Sequence, residues 1–370
     1  MKLQKKIISA ILILALGCTT FAKPPAKDET IIFPSAYGWI DNGEINVYMH
    51  AWLFNMKEDS TSRNILIKFL RGFFDVDNID KDNKKLFEDR IRYFLVDNKG
   101  QRDITVDIMG ERYILPKTTS NGHAATIIKF KNNSGSDFPD LPDLIDKKIN
   151  FSTVPASSGI PIFSGSFKVI AGTGYSIISD IDDTIKISNV LNKDELIKNT
   201  FTKKFEPVNG MSKLYRMFEE KGCVFHYVSG SPWQIYPSFS KFIIDEKFPA
   251  GSVSLKNFRL KDRSFIEFIS ADQLTYKLNA IKTIMDRFPG RQFILIGDSG
   301  EKDPEVYSEL AAQYKDRVKY IFIRDVGLID KDSQRRKDAM KKSGNTKMGN
   351  VKMIIFKEPK ELEAYALNLE

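Results

Sequence analysis

Three short apolar runs in this sequence each end in a cluster of polar residues. Ile177-Ile178-Ser179 leads into Asp180-Ile181-Asp182-Asp183-Thr184. Val224 to Val228 leads into Ser229-Gly230-Ser231, and Phe293 to Ile296 into Gly297-Asp298-Ser299-Gly300-Glu301-Lys302-Asp303. If the runs are neighbouring strands, the clusters share one crevice, and Lys277 joins them from the helix that precedes the third run. The set suits attack on phosphorus. A phosphomonoester dianion repels a carboxylate, and a hard cation such as Mg²⁺ held by Asp180, Asp182 and Asp298 offsets that repulsion and polarises the phosphoryl oxygens. Asp180 can be the nucleophile. Asp182 can protonate the leaving oxygen and later take a proton from water. Ser229, the amide of Gly230 and Lys277 can bind the equatorial oxygens. Thr184 and Asp303 are supporting candidates, although Asp303 precedes Pro304 and also reads as a helix cap. Lys256 competes with Lys277, which is preferred because it lies one helix before the Asp298 strand.

Elements that could hold these groups follow from the hydrophobic pattern. From Gly172-Thr173-Gly174 onward, apolar strands alternate with helical stretches at 211–220, 239–246, 277–288 and 304–314. Met211, Leu214, Tyr215 and Phe218 share one helical face. Alternating β and α predicts a doubly wound parallel sheet, with ligands at the carboxyl ends of its strands. The stretch 31–170 alternates instead at period two, as in Ile45-Asn46-Val47-Tyr48-Met49 and Ile104-Thr105-Val106-Asp107-Ile108, with turn clusters such as Asp41-Asn42-Gly43 and Asn132-Asn133-Ser134-Gly135 between runs. That pattern predicts a β-rich, sandwich-like domain. Asp77 to Glu88 reads as helix or loop. The expected organisation is a leader (1–22), a β-rich domain (23–171) and an α/β domain (172–370).

The longer strings are sharper than the lone Asp-x-Asp-x-Thr. The three polar clusters and Lys277, in order, resemble the four motifs of the haloacid-dehalogenase superfamily. Ile178-Ser179-Asp180-Ile181-Asp182-Asp183-Thr184-Ile185-Lys186, Tyr227-Val228-Ser229-Gly230-Ser231-Pro232-Trp233 and Gly297-Asp298-Ser299-Gly300-Glu301-Lys302-Asp303-Pro304-Glu305 resemble the catalytic domain of phosphatidate phosphatases of the yeast actin-patch-associated type. The resemblance runs from about Gly174 to Val326. It implies a haloacid-dehalogenase-like fold, Mg²⁺, and release of phosphate from phosphatidate to give diacylglycerol, with a phospholipid substrate at a membrane surface. Protein partners of the yeast type are not carried over, because the chain shows no proline-rich tail. Two other functions stay open: a phosphatase for soluble phosphomonoesters, and an inactive envelope or lipid-binding protein. The short stretch between Thr184 and Cys223 predicts a small cap and an open site, which favours a lipid. Trp233, Tyr236 and Phe239 read as core or as an apolar lip for acyl chains.

Bulk properties fit an enzyme. The 370 residues carry 56 Lys+Arg against 48 Asp+Glu, a net charge of +8. Spread over such a length, with no zinc-finger spacing and no aromatic-studded basic helix, this surplus makes no case for nucleic acid. Lys2, Lys5 and Lys6 before the apolar run Ile7–Leu16, followed by Thr20-Phe21-Ala22, form the pattern of a secretory leader and predict a periplasmic protein. Cys18 after Leu16-Gly17 offers lipidation as the alternative. Cys223 then reads as a packed small hydrophobe, and His50, His123 and His226 show no metal spacing. Lys331, Arg335, Arg336, Lys337, Lys341, Lys342 and Lys347 fall in a stretch that reads as a mobile basic loop, a candidate contact for an anionic membrane.

Overall fold

The computed structural model describes residues 23–56, 67–68, 71–72, 76–131, 141–258, 273–327 and 351–369. The expected leader with Cys18, the turn at 132–135 and the basic stretch 331–347 lie outside these residues. No helix among the described residues is long and apolar enough to cross a membrane.

The upstream half is built from β1 (Glu29–Ile32), β2 (Ala36–Asp41), β3 (Glu44–Asn55), helix α1 (Lys81–Ile91), β4 (Asp97–Asn98), β5 (Thr105–Ile108), β6 (Glu111–Ile114), β7 (His123–Lys131), β8 (Lys148–Thr153) and β9 (Ser164–Ile170). The long strand β3 organises it. One edge pairs with β2 and then β1, the other with β7 and then β4. The nine strands are thereby joined in a single hydrogen-bonded network, with the order β1-β3-β2-β9-β8-β5-β6 along its main path. It is wrapped round one core, where Val47, Met49 and Leu53 meet Val106, Phe151 and Phe167. Period-two alternation sends Ala51 and Leu53 into that core, while Trp52 and Phe54 on the opposite face pack near Tyr93. Residues 81–91, ambiguous in the sequence, are helical: the Asp80 carboxylate accepts the amides of Asp82 and Asn83 as an N-cap.

The downstream half follows the predicted alternation: β10 (Gly174–Ser179), α2 (Lys193–Phe201), α3 (Met211–Glu220), β11 (Val224–Pro232), α4 (Tyr236–Asp245), β12 (Gly251–Lys256), α5 (Gln273–Arg287), β13 (Arg291–Asp298), α6 (Asp303–Tyr314), β14 (Val318–Arg324), β15 (Lys352–Phe356) and α7 (Glu363–Leu367). The six strands are all parallel, in the order β12-β11-β10-β13-β14-β15. Helices cover both faces, so alternate residues of one strand enter different cores. Ile177, Ile294 and Ile296 pack on the side of α3 and α4. Ile178, Phe293 and Leu295 pack on the side of α5 and α6. Burial on both faces is why these strands read as unbroken apolar runs. The α3 face of Met211, Leu214, Tyr215 and Phe218 is fully buried, as its spacing predicts.

The two halves meet over a packed junction. Tyr37 accepts the amide of Phe225 and donates to the carbonyl of Ala250, both at 3.1 Å. His50 Nε2 and His123 Nδ1 lie 3.0 Å apart, with the Trp233 ring 4.5 Å from that of His50. From α1, the buried guanidinium of Arg90 donates to the carbonyls of Thr200 (2.9 Å) and Lys203 (2.7 Å) at the end of α2. The link from β9 to β10 is pinned as well. Buried Arg291 donates to the carbonyls of Ala171, Thr173 and Tyr175 and to Ser176 Oγ.

Candidate active site

Strands β10 and β13 deliver their last residues side by side. The Asp180 amide donates to the Ile296 carbonyl at 2.9 Å, which fixes the first carboxylate beside the second strand end. Lys277 comes from α5 with its side chain 1% exposed. Its ammonium lies 2.8 Å from Asp180 Oδ1, 2.6 Å from Glu301 and 2.6 Å from Asp303. Thr184 Oγ1 is 3.4 Å from Asp180 Oδ2. Asp303 opens α6, yet its carboxylate turns inward, to Lys277 and to the amide of Asp298. Gly297 makes this approach possible: a Cβ there would lie 2.4 Å from Asp303 Oδ2.

Three carboxylates, those of Asp180, Glu301 and Asp303, thus contact one ammonium, and Asp298 lies beside them. Burial pushes Asp180 well above the usual carboxylate range; Lys277 opposes this and the neighbouring acids add to it. Burial and the charges of Asp303 and Glu301 do the same to Asp298. Asp298 Oδ2 is buried without a hydrogen-bond partner, and Asp180 Oδ1 has only the Lys277 ammonium beside it. Oxygens from Asp180, Asp298 and Glu301 all lie within 4.8 Å of one another. An oxygen-only set with surplus negative charge and an unsatisfied buried oxygen on Asp298 fits a hard divalent cation.

Asp182 is placed differently from the sequence expectation of a metal ligand. Its Oδ1 accepts from Ser188 Oγ at 2.7 Å and pairs with Lys186 at 2.8 Å. Its Oδ2 accepts from Ser229 at 3.1 Å and Ser231 at 2.8 Å. Burial would raise this carboxyl, but Lys186 and these donors outweigh it and hold it below the usual range. Glu301, not Asp182, completes the group of possible ligands. Glu301 and Lys186 stand in the motif strings of the sequence without a role there; Glu301 is three residues after Asp298 and Lys186 four after Asp182. The serines of the second cluster face Asp182 across the crevice, and Ser231 donates its amide to Ser229 Oγ at 2.9 Å. Trp233, Tyr236 and Phe239 are buried in the core and form no lip. Cys223 is a buried free thiol, pushed by burial up to about 12.

Residues 175–325, the whole of this crevice, match the family model described as phosphatidate phosphatase APP1, catalytic domain. This segment is similar to an APP1-type catalytic domain. Phosphatidate phosphatase APP1 of Saccharomyces cerevisiae is 29% identical over 247 residues, 65% of this chain and 40% of that protein. An uncharacterized protein of Schizosaccharomyces pombe is 35% identical over 173 residues, 45% of this chain and 28% of that one. The chain therefore spans well under half the length of these relatives. Among solved structures, a class C acid phosphatase from Bacillus anthracis aligns at TM-score 0.28 and 15% identity, over 53% of this chain and 73% of that one. The APP1-type segment begins one residue into β10 and ends one residue after β14, so it takes in every carboxylate described above.

Proposed function

We propose that this protein is a Mg²⁺-dependent phosphatase with a haloacid-dehalogenase-like catalytic domain, and that it hydrolyses phosphatidate to diacylglycerol and phosphate through an aspartyl-phosphate intermediate. The observation that carries this reading is the separation of two carboxylates two residues apart into different surroundings. Asp180 lies among the possible cation ligands beside Lys277, whereas Asp182 is held outside them by Lys186 and three serines. A bound cation, held by Asp180, Asp298 and Glu301, would supply charge neutralisation. Asp180 then attacks phosphorus and the ester oxygen leaves. The charge of the arriving phosphate dianion would raise Asp182 from its depressed state so that it carries a proton; it then delivers that proton to the ester oxygen and afterwards takes one from the water that cleaves the aspartyl phosphate. Lys277 orients Asp180 and, with the Ser229–Gly230 turn, faces the charged oxygens. The lipid substrate is supported by the family match and by the small segment between β10 and β11. The leader pattern supports export to the periplasm, with a Cys18 lipid anchor as the alternative.

Phosphate release by the full chain from phosphatidate in mixed vesicles, from lysophosphatidate and from sugar phosphates tests the substrate. Highest kcat/KM on phosphatidate is expected. A preference for sugar phosphates would move the reading to soluble phosphomonoesters, and no turnover of any of them would remove it.

A further inference from the structure

Asp183 has a conformation that an aspartate does not adopt freely. Its φ is +53°, a left-handed backbone that glycine takes at no steric cost and other residues take at a penalty of about 1 kcal/mol or more. What the side chain does in return is visible. Its Oδ1 accepts the amides of Ser188 (2.8 Å) and Asn189 (2.9 Å), and its Oδ2 accepts that of Val190 (2.6 Å). The residue is buried. Its amide donates to the Lys186 carbonyl at 2.7 Å and its carbonyl accepts from Arg324 at 2.7 Å. One carboxylate thus gathers the backbone of three consecutive residues into a fixed loop.

That loop reaches Asp182 from outside. Ser188, whose amide Asp183 holds, donates its hydroxyl to Asp182 Oδ1 and also contacts the Lys186 ammonium. Asn199 of α2 donates to the Ser188 carbonyl at 3.1 Å and steadies the same residue from the cap side. The next residue but one, Val190, lies over the Gly300 turn: a Cβ at Gly300 would come within 2.6 Å of Val190 Cγ2 and 2.8 Å of Asp298 Oδ1. Both the proton-transfer carboxylate and the turn beside Asp298 therefore border a loop whose backbone is set by Asp183.

We infer that Asp183 is a positioning residue for proton transfer to the leaving group: through the 188–190 backbone it fixes Ser188, and through Ser188 it fixes the direction of Asp182. The inference rests on the phosphatase reading above. A misdirected acid hurts the expulsion of poor leaving groups most, because good ones need no proton in the transition state.

Three variants of the full chain test it: Asp183→Gly, which relieves the backbone and removes the carboxylate, Asp183→Asn, which keeps the shape and loses one acceptor, and Ser188→Ala. Each is assayed with p-nitrophenyl phosphate and with a simple alkyl phosphate. The alkyl phosphate is expected to lose about tenfold more kcat than p-nitrophenyl phosphate in all three, a fraction of what a general acid contributes, with KM little changed. The double variant Asp183→Gly/Ser188→Ala is expected to be no worse than Asp183→Gly, because both act through one path. Equal losses on the two substrates, or full activity in Asp183→Gly, would overturn the inference. If Asp183→Gly does not fold, the same comparison on Ser188→Ala and Asp183→Asn decides. A wild-type chain that hydrolyses neither substrate would instead count against the phosphatase reading itself.

Discussion

Asp180 and Asp182 share a strand end and differ in almost everything else. Asp180 has Lys277 and three acids as charged neighbours, while Asp182 is engaged by Lys186 and three serines. Asp180→Asn keeps the shape and removes the nucleophile, so turnover is expected to fall about a thousandfold or more, with the thermal midpoint little changed. Substantial residual turnover in a well-folded variant would contradict the assignment. Asp182→Asn is expected to cost about 10²- to 10⁴-fold on alkyl phosphates and clearly less on p-nitrophenyl phosphate. Chelation gives a separate measurement. EDTA should abolish activity and Mg²⁺ restore it, while the intrinsic fluorescence of the chelated protein titrates with added Mg²⁺; full activity in metal-free protein would refute the cation role. In the sequence Asp180 and Asp298 end apolar runs and Lys277 lies one helix before the second, and the structure brings the three together. Spacing could not tell which way a carboxylate turns. Asp182 went to Lys186, and Glu301 took the place beside Asp298, through rotamers and a five-residue excursion of backbone that no periodicity encodes.

At the level of elements, the downstream sheet was legible because burial on both faces leaves a run of apolar residues. Helix starts were less so. The α4 helix begins at Tyr236, three residues before the apolar pattern predicts, with Pro237 in its first turn as the overlooked sign. The upstream sheet was legible strand by strand but not in its pairing. Its closing ladder joins β2 to β9, so Ala36 faces Phe167, and no local rule links residues so far apart. The α1 helix was ambiguous because it buries only Phe87, Arg90 and Ile91. Arg90 is nevertheless what binds it to α2. Replacing it with Met leaves the carbonyls of Thr200 and Lys203 without their donor, at a cost of about 1–3 kcal/mol in chemical denaturation; an unchanged midpoint would show that water replaces the guanidinium. Gly297→Ala acts inside the site. Its Cβ would press on Asp303 Oδ2 at 2.4 Å, so reduced Mg²⁺ affinity and reduced turnover are expected together, and wild-type values for both would show that Asp303 can withdraw without consequence.

Over the whole molecule, the junction holds all three histidines, and burial keeps each one neutral. Burial lowers His50 to about 4, and lowers His123 and His226 to about 3, helped by His50 in the first case and Arg291 and Arg287 in the second. In the unfolded chain each titrates near 6.5. Between that value and the folded one, the unfolded state binds more protons, so stability is full above about pH 6.5 and declines as pH falls. Each histidine contributes a slope of about 1.4 kcal/mol per pH unit within its window. The thermal midpoint is expected to drop between pH 7 and pH 5, and less steeply in His50→Gln. An identical slope in the variant would mean that the junction is not what acid attacks.

Arg291 gives the joint between β9 and β10 a mechanical character. Its guanidinium grips the carbonyls on both sides of the crossing, and the carbonyl of Gly172 sits so close to Gly290 that a Cβ there would come within 2.7 Å. A crossing clamped in this way is an axle welded to its wheel. The clamp is expected to keep the nine-stranded half from swinging like a flap over the catalytic crevice, so that limited proteolysis of the native chain leaves 171–173 uncut; ready cleavage there would contradict it. Substrate is then carried to a fixed frame, and opening or closing during turnover is not to be sought in a rocking of one half upon the other.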